Sequence, residues 1–431
     1  MVGLAKVLKE EKRADPLIVT PDKLLADTER ACQEHSLAWW ALPPAPDHAN
    51  SLVSLVERIS RKIGGWRGGH PFARTRAASE LEQQLSAAFQ VLRDERADRL
   101  ILYQGRNRSW EVPFVKAAGA LGVPRVVLGL AKPALAADLV PRKKTKSHMG
   151  KHFPRLVAAL PGQYAEHPTS GEMVSLYPAE YLEAAARLEA LPPNPWVPGG
   201  NSCEIVMVSG LDEFRELVAC GAEPDRLFLT GSQAHDPLFR GWQNRDELIR
   251  SLQERYRLPA GKPIVVLSMP QYGEHAQLPW EDHWKEVHHL CRVLTNCSAS
   301  GLVSLHPRMD PASYSFISET YGLALASEPL VQVLPGADVF LASLSSTLSW
   351  AVLCRIPTLA MNFHGLPQQG FLRLPGVKLL TQRESLGPEL ERFLLDQGLR
   401  ERISQRQARE AGRFSPYDGQ CTERVLSAIV G

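Results

Sequence analysis

Residues 337–363 read ADVFLASLSSTLSWAVLCRIPTLAMNF. The run ADVFLAS (337–343) has the continuous apolar character of a strand buried on both faces, and IPTLAMNF (356–363) has it again. Between them TLSWAVLC is helix-like. Strand, helix and strand in that order describe a parallel βαβ unit. The loop inside it, SLSST, carries four hydroxyls in five positions: Ser343, Ser345, Ser346 and Thr347. A helix N-cap uses one. The surplus points to an anion held by hydroxyls and by the free N–H groups of a helix start.

The same grammar extends outward. KPIVVLSMP (262–270) is a strand opening on a loop, and WEDHWKEVHHLCRVL (280–294) is helical. GLVSLHPRMD then gives strand and loop, and PASYSFISETYG (311–322) a helix. The half before residue 230 repeats the alternation. PLIVT (16–20), LAWWAL (37–42), RLILY (99–103), PRVVLGL (124–130), CEIVMVS and DRLFLTG read as strands. Helices are expected at 50–62, 78–94, from Glu111 to Gly122, and at 178–191. His283, Glu286 and His289 share the 280–294 helix with other charged residues and read as a polar face, not as a metal site.

A chain of 431 residues exceeds one ordinary core. The expected fold class is α/β with two Rossmann-like domains facing across a cleft. Residues 1–235 form the first domain, 236–262 a linker helix, 263–415 the second domain, and 416–431 a C-terminal helix. Asp236-Pro237 reads as the break into the linker.

Hydrophobic content of 44% with 22% charge describes a folded chain, and a net charge of +2 gives no argument for nucleic acid as partner. Seven cysteines are scattered without CxxC spacing, which reads as reduced thiols in a cytosolic protein. The N-terminus lacks a signal-peptide core, and no run is long enough for a transmembrane helix. The cluster PRKKTKSHMGK (141–151) is read as a solvated loop, with a site for acidic lipid at the inner membrane or for a polyanionic glycan as the alternative.

Three strand-to-helix loops of the second half, SMPQYGEH (268–275), HPRMD (306–310) and SLSST (343–347), would open on one edge of a parallel sheet, where ligands of open α/β sheets bind. None is a Gly-rich phosphate fingerprint. His-Pro occurs three times, at 70, 167 and 306, but only His306-Pro307 directly follows an apolar strand. His306 is therefore a candidate phosphate or ribose contact, with Arg308 as a second anion ligand.

HPR after one strand and SST after another resemble the HP and SS/T motifs of bacterial sialyltransferases and Kdo transferases, GT-B glycosyltransferases that use CMP-activated sugars. The resemblance implies that His306, Pro307 and Ser345, Ser346 or Thr347 grip the CMP phosphate. CEIVMVSGLDEFRELVACGAEPDRLFLTGSQAHDPLF (203–239) looks like the end of the first domain in GT-B proteins related to nucleotide-sugar epimerases and capsule transferases. UDP-GlcNAc 2-epimerases carry a Gly-Gly after the motif serine and acidic residues in the next helix. Here Thr347-Leu348 follows Ser346, and Ser349-Trp350-Ala351 has no carboxylate, which argues for CMP over UDP. SEPL (327–330) would flank the nucleobase, its backbone near Glu328 reading the base edge and Leu330 packing on the face.

Such a transfer needs a stabilised leaving phosphate and, if inverting, a base. Glu111, beside Arg106 and Arg108, is the candidate catalytic base, with Glu274 and His275 as alternatives, and the acidic motif common in relatives is absent at Glu111. No metal and no resident cofactor are expected. The implied partners are a nucleotide-sugar donor and a glycan or lipid-linked acceptor. Rival functions are a nucleotide-sugar epimerase or hydrolase, a CDP-glycerol or CDP-ribitol phosphotransferase, and a non-catalytic subunit of a polysaccharide complex.

Overall fold

The computed structural model describes residues 2–10, 14–20, 25–41, 71–108, 110–129, 133–136, 146–365 and 374–430. The helix expected at 50–62 and residues 141–145 of the basic cluster lie outside them. The chain divides into two compact units, Met1–Leu229 with Arg424–Gly431, and Thr230–Glu423.

In the first unit, β1 (Leu17–Thr20) pairs in parallel with β2 (Ala38–Ala41). A second parallel sheet runs β3 (Leu100–Leu102), β4 (Arg125–Val127), β7 (Ile205–Val208), β8 (Leu227–Leu229). A small antiparallel pair, β5 (Tyr164–Glu166) and β6 (Met173–Ser175), stands apart from it. The helix expected from 78 begins earlier, at Pro71; proline's missing N–H costs nothing in a first helical turn. The last helix, Cys421–Val430, packs Val425, Leu426 and Ile429 against Val126 and Met207 of this sheet. Its final residues thus complete the first unit's core.

The second unit is one six-stranded, all-parallel sheet in the order β11-β10-β9-β12-β13-β14. The strands are β9 (Ile264–Ser268), β10 (Ser300–Ser304), β11 (Ala324–Leu325), β12 (Val339–Ser343), β13 (Thr358–Met361) and β14 (Val377–Leu380). Both faces are covered, which is why these strands read as unbroken apolar runs. Val265, Leu267, Val339 and Leu341 face the helices Trp280–Asn296 and Leu386–Leu395. Ile264, Val266, Phe340 and Ala342 face the helices His235–Gln243, Arg245–Tyr256 and Thr347–Leu353. From β9 the chain steps outward to β10 and β11, then returns to β12 on the other side and proceeds to β14. The direction of winding reverses between β9 and β12.

The single linker helix expected within 236–262 is two, His235–Gln243 and Arg245–Tyr256. Asn244 leaves helical geometry at φ −108°, ψ 33°, and its side-chain amide donates to the Arg240 carbonyl at 3.0 Å. An asparagine that bonds the backbone locally competes with the helix ladder and ends it. PASYSFISETYG likewise resolves into a short 3-10 turn, Pro311–Tyr314, and a helix, Phe316–Tyr321, closed by left-handed Gly322.

Candidate functional site at the C-terminal edge of the second sheet

Because all six strands are parallel, the loops after β9, β10, β12 and β13 leave the same sheet edge. The crevice where winding reverses is where open α/β sheets take ligands. It lies between β9 and β12, whose Leu267 and Leu341 are paired.

The loop after β12 is the hydroxyl-rich one. Ser343 ends the strand, in register with Met361. Ser345 Oγ accepts the N–H of Thr347 at 3.1 Å and lies 2.6 Å from Thr347 Oγ1. Ser346, at the N-cap position, makes no side-chain cap bond and is exposed. The following helix, Thr347–Leu353, is only seven residues long, so its dipole is small and the hydroxyls are the main polar groups offered.

The loop after β10 holds His306 in a tight turn. The Met309 N–H donates to the His306 carbonyl at 2.8 Å, with Pro307 and Arg308 at the corners. Buried Met309 returns its sulfur to the His306 N–H at 3.3 Å. The Arg308 N–H donates to His306 Nδ1 at 3.1 Å. His306, Pro307 and Arg308 are exposed. Partial desolvation, with the positive charges of Arg308 and His275, holds the His306 pKa below its ordinary value, Glu274 opposing.

The loop after β9 adjoins it, Met269 N–H donating to Ser304 O at 3.0 Å. Glu274 Oε1 accepts the Tyr314 hydroxyl at 2.6 Å, and that hydroxyl also lies 2.7 Å from His283 Nε2. Glu274 Oε2 is buried with no protein partner. Burial first, and Glu274 second, pushes the Tyr314 pKa up. His306, Arg308, Glu274 and His275 thus converge on this part of the edge.

Other expected residues sit differently. Glu328 pairs with Arg255 and accepts the Tyr256 hydroxyl, so its side chain is tied to the preceding helix. Leu330 opens the helix Leu330–Val333 and packs on the core, half-buried. Glu111 is 0% exposed. Its Oε1 accepts the N–H groups of Tyr103 and Gln104, both at 2.8 Å, and its Oε2 accepts that of Asn107 at 3.1 Å. It folds the loop after β3, and it offers no exposed oxygen to a substrate as a base must.

The polar-face reading of the helix Trp280–Asn296 is corrected by burial. His283 and Glu286 are 0% and 1% exposed and sit on the apolar stripe. Glu286 Oε2 lies 2.5 Å from Arg383 Nη2 and 3.3 Å from His364 Nε2. The signal available in sequence was a charged residue at helical spacing with Val287, Leu290 and Leu294. Asp236 is no mere chain break either. Buried at 2% exposure, it accepts the N–H groups of Cys421 and Thr422 at 2.8 and 2.7 Å. Among the described residues no helix is long and apolar enough to cross a membrane.

No protein-family model and no curated protein matches the chain. Solved structures do. UDP-GlcNAc 2-epimerase from Neisseria meningitidis, bound to UDP-GlcNAc, is 10% identical over 100% of this chain and 96% of that one, at a TM-score of 0.53. A further UDP-N-acetylglucosamine 2-epimerase is 10% identical over 100% and 91%, at 0.53. The wall teichoic acid polymerase TagF is a partial match, 13% identical over 71% and 67%, at 0.43. The full-length likenesses show the fold, the two-unit α/β class termed GT-B, as the sequence led us to expect.

Proposed function

We propose that this protein is an enzyme acting on a nucleotide-activated sugar, and that the second unit grips the nucleotide phosphate between His306 and the Ser345–Thr347 loop. The observation that carries this reading is the placement of the HPR and SLSST loops on one sheet edge, on strands that flank β9 at the reversal of winding. With Nδ1 accepting the Arg308 N–H, a neutral His306 carries its proton on Nε2 and presents it as a donor. Ser346, the Ser345–Thr347 hydroxyl pair and the Arg308 guanidinium supply further donors for a phosphate that gains charge as a glycosidic bond breaks.

The donor we propose is a CMP-linked nonulosonic acid, Kdo or sialic-acid-like, passed to a glycan or lipid-linked acceptor without a bound metal. The helix Thr347–Leu353 holds no carboxylate, unlike the acidic helix expected of UDP-GlcNAc 2-epimerases. The choice of CMP rests on the likeness of the HPR and SST loops to the motifs of CMP-sugar transferases. The proton acceptor is better sought at exposed His275 than at enclosed Glu111. A thermal-shift series with CMP, CDP, UDP and GDP tests this. CMP is expected to raise the unfolding midpoint. No shift with CMP beside a clear one with UDP would overturn the donor.

A second reading, nucleotide-sugar epimerase or hydrolase, is favoured by the full-length fold likeness to UDP-GlcNAc 2-epimerases. Release of free sugar from UDP-GlcNAc without any acceptor would establish it.

A further inference from the structure

The helix Trp280–Asn296 buries His283, Glu286, Val287, Leu290, Cys291 and Leu294. Glu286 occupies a place on this stripe that an aliphatic residue would fill without desolvating a charge. A buried carboxylate is weak evidence for stability, because an apolar replacement of the whole ion pair is often neutral or better. Its partners show what it does instead. Arg383 follows β14 and donates to Oε2, while His364, which follows β13, brings Nε2 to 3.3 Å from the same oxygen without a hydrogen bond. Glu286 Oε1 is buried with no protein partner. His289, one turn further along, is held below its ordinary pKa chiefly by burial, and it feels both Glu286 and Arg383.

The His364 ring packs edge-on against Tyr272, centroids 5.2 Å apart at 77°. Tyr272 is 2% exposed and belongs to the loop after β9. The Glu286–Arg383 pair therefore ties the segment after β14 to a helix, and the same carboxylate faces the His364 ring, which packs on the loop after β9. Strand β12 runs between β9 and β13. The His364–Tyr272 contact thus joins the loops on either side of the Ser345–Thr347 loop.

We propose that Glu286 is a positioning residue for the nucleotide site: it fixes His364, and through it Tyr272, so that the two flanking loops hold the Ser345–Thr347 loop in its ligand-receiving geometry. This rests on the reading of that edge as a nucleotide site. Charge is essential to the role, since an apolar side chain of equal volume fills the core but cannot orient an imidazole.

The decisive variant is the double substitution Glu286→Met with Arg383→Met, which removes the charge pair without leaving either partner stranded. Its unfolding midpoint is read without ligand, and its Kd for CMP by calorimetry, or for whichever of CDP, UDP and GDP the wild type binds. The expected result is a midpoint at or above wild type with nucleotide affinity weaker by roughly tenfold or more, as for other groups that orient ligand-contacting residues. His364→Phe keeps the edge contact with Tyr272 but cuts the tie to Glu286, and it serves if the double variant does not fold. Wild-type affinity in either folded variant would overturn the inference alone. A wild type that binds none of the four nucleotides would overturn the functional reading, and this inference with it.

Discussion

The backbone N–H of Arg308 donates to His306 Nδ1 at 3.1 Å, so the outward nitrogen of the neutral ring is the one that carries the proton. Partial burial, with the positive charges of Arg308 and His275, lowers the His306 pKa and so favours the neutral ring. An N–H donor of fixed direction is what a phosphate oxygen needs. His306→Ala is therefore expected to abolish the rise in unfolding midpoint caused by CMP, a loss of about 1.5–3 kcal/mol of binding for a hydrogen bond to a charged group. The ligand-free midpoint should be nearly unchanged, because the ring is exposed. Full CMP protection in the variant would remove His306 from the site.

The serines of the hydroxyl loop divide by their bonds. Ser345 Oγ holds the turn by accepting the Thr347 N–H, whereas Ser346 makes no cap bond. Ser345→Ala is expected to lower stability by about 1 kcal/mol even without ligand. Ser346→Ala should leave ligand-free stability within about 0.5 kcal/mol of wild type while weakening CMP binding. Urea denaturation with and without CMP separates the two. Equal stability loss in both variants would mean that the loop is only a helix entry.

Much of the second sheet was legible because a strand buried on both faces must be a continuous apolar run, as IVVLS and VFLAS are. The HPR and SLSST loops were legible because each directly follows such a run. What escaped was the identity of partners brought from afar. Glu286 meets Arg383 across 97 positions and Asp236 meets Cys421 across 185, and no local periodicity encodes either pairing. The C-terminal helix was set apart from both domains because its apolar residues acquire meaning only beside Val126 and Met207. Glu111 was found for the right local reason, a carboxylate in a first helical turn, but its three N–H donors lie in the loop before it.

Glu111 gives a sharp test of that distinction. Glu111→Ala leaves three part-buried N–H groups without their carboxylate and is expected to destabilise the first unit by about 2–3 kcal/mol. Glu111→Gln keeps one carbonyl oxygen and should cost less. The measurement is chemical denaturation followed by a probe in the first unit, alongside turnover of the folded fraction. A Gln variant that is as stable as wild type but inactive would restore Glu111 as the base.

His235 predicts how the second unit responds to acid. Its ring is 4% exposed, and Nδ1 accepts the Ser232 N–H at 3.2 Å and lies 2.7 Å from Ser415 Oγ. Burial lowers its pKa from 6.5 to about 4, with neighbouring Asp236 opposing. The unfolded chain therefore takes up this proton first as the pH falls. Stability is fully present above pH 6.5, declines from there towards pH 4, and levels once the folded ring is protonated too. The full loss is about 3 kcal/mol for a shift of this size. Urea denaturation across this range, compared between wild type and His235→Gln, reads the contribution of this one residue. The variant should start less stable near neutrality and show a shallower decline with acid. Parallel declines in the two proteins would show that His235 is not the group being titrated.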